Sequence, residues 1–357
     1  MFTWLRALAV LFFPLPVLYT LVVYIRNRLY DWGWFRSYKI PATVISIGNI
    51  QLGGTGKTPL VQFLAETLNN EGLQPVILTR GYKRKSTRTI IINSANRENL
   101  TVDEIGDEPF LLSRNLPEVT IGVDADRRRA ALQVLEANPE AIFILDDGFQ
   151  HRQLRRDLDL VLVDCSRWSN LPFLFPLTQF RDVPSSLKRA QAIILTHSED
   201  NLTKCEKLSR QLASRCQVPV FYGHYQAIEL KGISEAIYCS LDQLKNSNIA
   251  AFCGIAQPSV FFNMLSGLGG NICWRGVYRD HYSYQLKDVQ EIAQQAKTAG
   301  AEYIITTQKD AVKLAALKMP FTEPWFFLQV GFVVGERNEF TSFLKKHLPQ
   351  FDPAANK

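Results

Sequence analysis

No C-x-x-C pair and no histidine at zinc-ligand spacing accompanies the six cysteines, Cys165, Cys205, Cys216, Cys239, Cys253 and Cys273. Cysteines scattered in this way exclude a zinc ribbon or a disulfide scaffold and predict free thiols in a reducing compartment. Long lysine or arginine runs are also missing, as are basic stretches interleaved with aromatic residues, although the net charge is +6. A nucleic-acid groove is therefore not expected, while the mild positive balance suits an anionic membrane surface or an anionic substrate. The sequence holds no internal repeat and no low-complexity segment. What remains is 357 residues, 46% hydrophobic and 21% charged, enough for two globular domains with their own cores.

Charge is absent from residues 7–25, ALAVLFFPLPVLYTLVVYI, nineteen positions that approach the length of a bilayer span. Pro14 and Pro16 count against a straight span, because each removes a helical hydrogen bond. Arg26, Arg28, Arg36 and Lys39 follow, among Tyr30, Trp32 and Trp34, the composition of a membrane interface. No small-residue cleavage site comes after the apolar core, so a removable signal peptide is not indicated. Residues 1–36 are expected to form a retained membrane-anchoring helix, spanning or lying in one leaflet, with the chain that follows in the cytoplasm.

Short apolar strand candidates alternate with helical stretches at 44–50, 75–80, 118–123, 141–146, 158–164 and 191–196. That alternation predicts an α/β layer with a mostly parallel sheet, since strands buried on both faces read as unbroken apolar runs. Residues 217–231 read as extended hinge segments, and a smaller series of strands follows near 249–253, 272–277, 302–306 and 325–330. The expected division is a nucleotide-binding domain over 37–222, a hinge over 223–245 and a smaller α/β domain over 246–357.

Residues 45–68, ISIGNIQLGGTGKTPLVQFLAETL, carry the strongest chemical signal. A strand, a glycine turn and a helix in that order form a phosphate-binding loop, with the first helical N–H groups and the helix dipole aimed at an anion. Gly53, Gly54, Thr55, Gly56, Lys57 and Thr58 would hold the phosphates of a nucleotide. Lys57 would reach the β/γ-phosphates and Thr58 would ligate Mg²⁺. One departure is visible: the standard pattern asks for glycine where this chain has Gln51. Pro59 fits the first helical turn, where a missing N–H costs nothing.

A second signal is AIFILDDGFQH at 141–151, an apolar strand delivering Asp146 and Asp147 to its carboxyl end, where open α/β sheets bind ligands. Asp146 is the expected Mg²⁺ carboxylate, with Asp147 facing the P-loop lysine or the metal shell; Gln150 and His151 follow on the same loop. Other residues are ambiguous by pattern alone. Asp107, in VDEIGDEPFLL, is either a helix-terminal charge or a general base for a hydroxyl. Arg80 and Tyr82, in LTRGYKRK, leave a strand into a basic loop. His281, in YRDHYSY, reads as a lone loop histidine.

Seven motifs in order, GNIQLGGTGKTP at 48–59, LTRGY at 78–82, GDEP at 106–109, DDGFQH at 146–151, FCGIAQP at 252–258, RDHYSY at 279–284 and TTQKDAVK at 306–313, resemble the tetraacyldisaccharide 4′-kinase family. The resemblance covers nearly the whole chain. It implies ATP-dependent phosphorylation of the 4′-hydroxyl of a tetraacylated glucosamine disaccharide 1-phosphate, a lipid A precursor, at the cytoplasmic face of the bacterial inner membrane. It also implies that Asp107 and His281 are a catalytic pair, with Asp107 as base, and that Arg80, Tyr82, Gln150 and His151 contact the disaccharide. Arg181, in PLTQFRD, resembles the family's arginine near the substrate 1-phosphate, within a motif that here lacks the usual proline and glycine. No obligate protein partner is implied.

Two other classes stay open at this point. A membrane-associated P-loop ATPase switch of the partitioning type would carry lysine where this chain has Leu52, and would dimerise with nucleotide instead of phosphorylating a product. A kinase for another lipid or sugar would share the P-loop and Asp107 but label a different acceptor.

Overall fold

The structure is a computed structural model and describes residues 14–54, 56–171, 173–197, 202–233, 237–315, 317, 325–348 and 350. Among them a thirteen-stranded sheet runs through the molecule. One half contains β1 (Val44–Asn49), β2 (Pro75–Thr79), β3 (Ile90–Ile92), β4 (Thr120–Val123), β5 (Ile142–Asp146), β6 (Leu158–Asp164) and β7 (Ala192–Thr196). The other contains β9 (Tyr238–Cys239), β10 (Asn248–Cys253), β11 (Asn271–Val277), β12 (Tyr303–Thr307) and β13 (Trp325–Val334), and β8 (Val220–Gly232) joins the two. The order across the sheet is β11-β10-β12-β13-β8-β7-β6-β1-β5-β2-β4-β3, with β9 paired to β8.

Every residue of β1, β2, β5, β6 and β7 is buried, as expected for parallel strands covered on both faces. β1 lies between β5 and β6 and pairs with both in parallel. The chain moves toward one edge through β2 and toward the other through β6, which opens a crevice at the carboxyl end of β1. The helix Lys57–Asn70 starts in that crevice and buries Leu60, Val61, Leu64, Ala65 and Leu68.

β8 is shared by the two halves. Its first residues pair in parallel with β7, from Ile193↔Val220 to Leu195↔Tyr222, and the rest pairs antiparallel with β13, from Val334↔Gly223 to Phe326↔Gly232. The second half packs its own cores, one of them around Phe252, Tyr284, Ile292 and Trp325. Not all of 246–357 stays there. β13 carries the chain back, so that Phe332, Phe340, Leu344 and Leu348 join Ile45, Leu60 and Leu64 in the core of the first half.

Two expectations need correction. At the N-terminus the described helix is Pro14–Asp31, and no helix among the described residues is long and apolar enough to cross a membrane. Arg26, Arg28 and Asp31 occupy its last turns, and Asn27 is buried against the protein, donating to Asp182 at 2.8 Å. The spanning form of the anchor is therefore not supported; residues 1–13 of that expected segment lie outside the described residues. The cysteines were expected to be free, but Cys165, just past the end of β6, is joined in a disulfide to Cys205 of the helix Leu202–Cys216. Spacing of 40 residues gives no hint of the pair, whose two cysteines pack in one core with Val161, Leu195 and Leu208.

Candidate active site

The P-loop leaves β1 with the backbone its glycines permit: φ is 96° at Gly53 and 83° at Gly56, in the left-handed region that other residues avoid. Gly56 caps the helix that begins at Lys57. The departure at Gln51 has a structural account. This fully buried side chain clamps the loop to β6: its Nε2 donates to the Asp164 carbonyl at 3.0 Å, and its Oε1 accepts from the Asp164 N–H at 2.7 Å. Arg167 holds the other side of the turn, donating to the Leu52 carbonyl at 3.0 Å.

Lys57 reaches across the crevice to Asp147, Nζ to Oδ1 3.7 Å. Asp147 has φ 52°, a left-handed turn that swings its carboxylate away from the axis of β5. Arg181 grips the same carboxylate with both terminal nitrogens, Nη1 donating at 3.0 Å and Nη2 closer still. Burial opposes ionisation of Asp147, yet the charges of Lys57 and Arg181 hold its carboxyl well below the usual range. Asp146, the last residue of β5, is the opposite case. Burial, then the negative charges of Glu108 and Asp147, push its carboxyl well above the usual carboxylate range. A buried carboxyl raised by neighbouring carboxylates is the donor a divalent cation would satisfy, so Asp146 fits Mg²⁺ better than Asp147, whose oxygens are already engaged. No group of three histidine, cysteine or acidic side chains among the described residues forms a protein-only metal cage, which is compatible with an ion held partly by phosphate oxygens.

A second cluster forms where the two halves meet. Asp107 opens the helix Asp107–Asn115, preceded by Gly106 at φ 94°. His281, from the loop after β11, lies with Nδ1 3.1 Å from Asp107 Oδ2. Burial pushes the Asp107 carboxyl up, but the hydrogen bond from His281 and the charge of Lys313 outweigh it and leave the carboxyl below its ordinary value. Tyr82 packs its ring 5.5 Å from the His281 imidazole, and Glu108, the next residue after Asp107, is the neighbour whose charge raises Asp146. The two clusters therefore adjoin.

Gln150 donates from Nε2 to the Asn49 carbonyl at 2.9 Å and to Asp182 at 3.2 Å, and Arg26 of the N-terminal helix donates to its carbonyl at 2.7 Å. His151 is pushed down to about 4 by burial and by the charges of Arg127 and Arg156, so it is neutral at pH 7. Arg80 stays exposed at the end of β2, near enough to Arg127 for their charges to repel. Thr58 and Gly54 lie in the loop and first helical turn as expected, while Thr55 lies outside the described residues.

Several residues of the site carry no motif. Arg127, buried at the start of the helix Arg127–Ala137, adds positive charge beside Asp146 and Asp147. Asp164 is fully buried and ties Ser166, Arg167 and His197 to Gln257 of the second half, whose Nε2 donates at 3.3 Å. Its position at the end of a fully buried strand, as with Asp146, was the one available signal.

The chain is similar to known proteins along most of its length. The family model described as Tetraacyldisaccharide-1-P 4′-kinase matches residues 8–349. A tetraacyldisaccharide 4′-kinase of Syntrophus aciditrophicus is 36% identical over 332 residues, covering 90% of this chain and 88% of its own. Another, of Desulfatibacillum aliphaticivorans, is 34% identical and covers 93% of this chain and 90% of its own. The crystal structure of LpxK from Aquifex aeolicus in complex with ATP superposes with a TM-score of 0.75 at 29% identity, covering 95% of this chain and 99% of that one. With a matched family model spanning almost the whole sequence and relatives above 30% identity at nearly full length, the chain belongs to the tetraacyldisaccharide 4′-kinase family.

Proposed function

We propose that this enzyme transfers the γ-phosphoryl group of ATP to the 4′-hydroxyl of a tetraacylated glucosamine disaccharide 1-phosphate. The observation that carries the reading is the Asp107–His281 hydrogen bond, 3.1 Å long and made between residues 174 apart, next to a P-loop. Phosphoryl transfer to an alcohol needs an acceptor for the hydroxyl proton, and a carboxylate held below its ordinary pKa is ionised and ready for that role at neutral pH. In this reading His281 orients Asp107, and Lys57 with the amides of Gly53, Gly54, Thr55 and Gly56 binds the phosphates. Thr58, Asp146 and Asp147 would hold Mg²⁺, which would supply positive charge to offset that of the phosphates. Arg80, Tyr82, Gln150 and His151 line the sugar, and Arg181 lies toward the 1-phosphate.

β8 supports a hinge over 223–245 between a P-loop domain, 37–222, and a smaller domain that begins at 246 and whose last helix, Arg337–His347, returns to the first half. Asp107 and His281 come from opposite sides of that hinge, so closure would assemble the base and keep water from the γ-phosphoryl group. The helix Pro14–Asp31 leaves Leu15, Leu18, Leu21, Val22 and Ile25 exposed, with Trp32 and Trp34 beyond it. An apolar face of that kind, flanked by arginines, suits an interfacial helix at the cytoplasmic face of the inner membrane, where a multi-acylated substrate resides.

The test is transfer of labelled γ-phosphate from ATP to purified tetraacyldisaccharide 1-phosphate in detergent micelles, with and without Mg²⁺. A labelled lipid that forms only with the metal is expected. ATP binding with no labelled lipid would overturn the acceptor assignment.

A further inference from the structure

The stretch 306–313 carries no role in the reading above, yet its helix, Gln308–Ala315, faces the Asp107–His281 pair. Lys309 and Lys313 are one helical turn apart and project on the same side. Lys309 Nζ lies 3.2 Å from His281 Nε2 and 3.0 Å from Asp280 Oδ1. Lys313 Nζ lies 3.8 Å from Asp107 Oδ2 and 3.4 Å from Asp310 Oδ1. Behind them Asp310, fully buried, accepts from the Gly254 N–H at 2.8 Å and the Thr307 hydroxyl at 2.7 Å, which fixes the start of the helix.

The chemistry of these contacts determines where the imidazole proton sits. An ammonium group donates only, so the ring nitrogen facing Lys309 must be the acceptor and the proton must be on Nδ1, aimed at Asp107. In the other tautomer two N–H groups would face each other at Nε2, and two lone pairs would face each other at Asp107. We propose that Lys309 and Lys313 are positioning residues for the phosphoryl transfer: Lys309 fixes the His281 tautomer that donates to Asp107, and Lys313 keeps the Asp107 carboxylate ionised. The inference rests on Asp107 being the base. The charged and titratable groups facing the pair are Asp280 from the loop that carries His281, Lys309 and Lys313 from the helix, Asp310 behind Lys313, and the Tyr82 phenol beside the ring. Because Asp107 sits in the first half and both lysines in the second, the same contact that joins the halves prepares the base.

The experiment uses the full-length enzyme in micelles with saturating ATP and disaccharide. Lys309→Met should lower kcat by about tenfold with the KM for ATP unchanged, and Lys309→Arg should restore most of it, since a guanidinium N–H can also donate to Nε2. Lys313→Met should move the acid limb of the kcat–pH profile to higher pH, because without the cation the carboxyl keeps its proton longer; Lys313→Arg should leave the limb in place. Histidine ¹⁵N NMR of the wild type provides a readout independent of variant folding: a protonated Nδ1 on His281 is expected, and a protonated Nε2 would overturn the proposal. Met variants with wild-type kcat and an unshifted acid limb, beside an inactive Asp107→Asn, would also overturn it while leaving the base assignment intact. Wild-type turnover by Asp107→Asn would instead remove the base assignment, and the proposal with it.

Discussion

The Tyr225 hydroxyl of β8 lies against Gly56 of the P-loop, so closely that a Cβ built on that glycine would collide with it. The strand that joins the two halves thus packs directly on the phosphate-binding turn. Gly56 also has φ 83°, which costs a residue with a side chain about 1–2 kcal/mol. Gly56→Ala should therefore distort the loop and weaken ATP binding by at least about tenfold, since about 1.4 kcal/mol corresponds to that factor. Titration with a fluorescent ATP analogue checks this. Circular dichroism should show the sheet intact, because the change is confined to a loop.

Lys57→Ala removes the cation that faces Asp147. The ion pair is 3.7 Å long and Arg181 still holds the Asp147 carboxylate when Lys57 is gone, so folding stability should change by less than about 1 kcal/mol. Catalysis should suffer far more, because a charge placed to meet the transferring phosphoryl group is used chiefly in the transition state. A loss of about 100- to 1,000-fold in kcat/KM is expected. Steady-state kinetics alongside thermal unfolding separates the two effects.

The position that departs from the P-loop pattern yields a less intuitive expectation. Gln51→Gly would restore the standard glycine and yet destabilise the protein. Gln51 satisfies the Asp164 N–H and carbonyl together, in a site with no solvent access. Stranding buried backbone groups costs about 1–3 kcal/mol each, so a loss of about 2 kcal/mol or more is expected. Chemical denaturation of the variant measures it, and a stability equal to wild type would show that the clamp contributes nothing.

The sequence made some of this site legible and hid the rest, for physical reasons. β1, the glycine turn and the run into Asp146 and Asp147 are contiguous signals, because buried parallel strands and phosphate loops are local patterns. Lys57 and Asp147 could be paired by reasoning about where strands end. Asp107 and His281 could not, since they are 174 positions apart with the whole of β8 between them; only resemblance to a family joined them. Tyr225 and Arg127 were invisible because each acts through tertiary contact at a position with no distinctive neighbours, while Asp164 at a strand end and Gln51 in the loop were visible as residues but not as partners. The Cys165–Cys205 pair was missed for the same reason. Composition left two forms of the N-terminal helix open, spanning or lying in one leaflet, and could not show that Arg26, Asn27 and Asp31 tie its end to the protein through Gln150, Asp182 and Arg152.

Asp164 should leave a signature in the pH dependence of stability. Burial opposes its ionisation, but the hydrogen bonds from His197, Ser166 and Gln257 hold its carboxyl near about 2, against an ordinary value of 3.8. A carboxyl depressed in the folded state stabilises it above the unfolded value, and that contribution is lost as pH falls from about 4 toward about 2. Wild type should exceed Asp164→Asn by about 2 kcal/mol at pH 6, and the gap should narrow by pH 3. Paired denaturation curves at the two pH values test it, and a pH-independent gap would assign the loss to packing instead.

The exposed face of the helix Pro14–Asp31 supports the most direct test of membrane association. Leu18 and Val22 are 56% and 54% exposed and one turn apart, so both point to the same side. Transferring such side chains from water to the acyl boundary stabilises binding by about 1.5–3 kcal/mol each. Replacing both with glutamate removes that gain and adds two negative charges facing an anionic surface. Cosedimentation with anionic phospholipid vesicles should therefore fall by at least about 100-fold in apparent affinity, since about 2.8 kcal/mol is two factors of ten. Neither residue buries itself in the protein, so the thermal midpoint should stay within about 1 °C of wild type. Turnover should split by assay: nearly normal on substrate dispersed in detergent, and much slower on substrate embedded in vesicles. Unchanged vesicle binding in the double variant would mean that this face does not meet the bilayer, and that the aromatic cluster at Trp32 and Trp34 or the chain before Pro14 must be examined in its place.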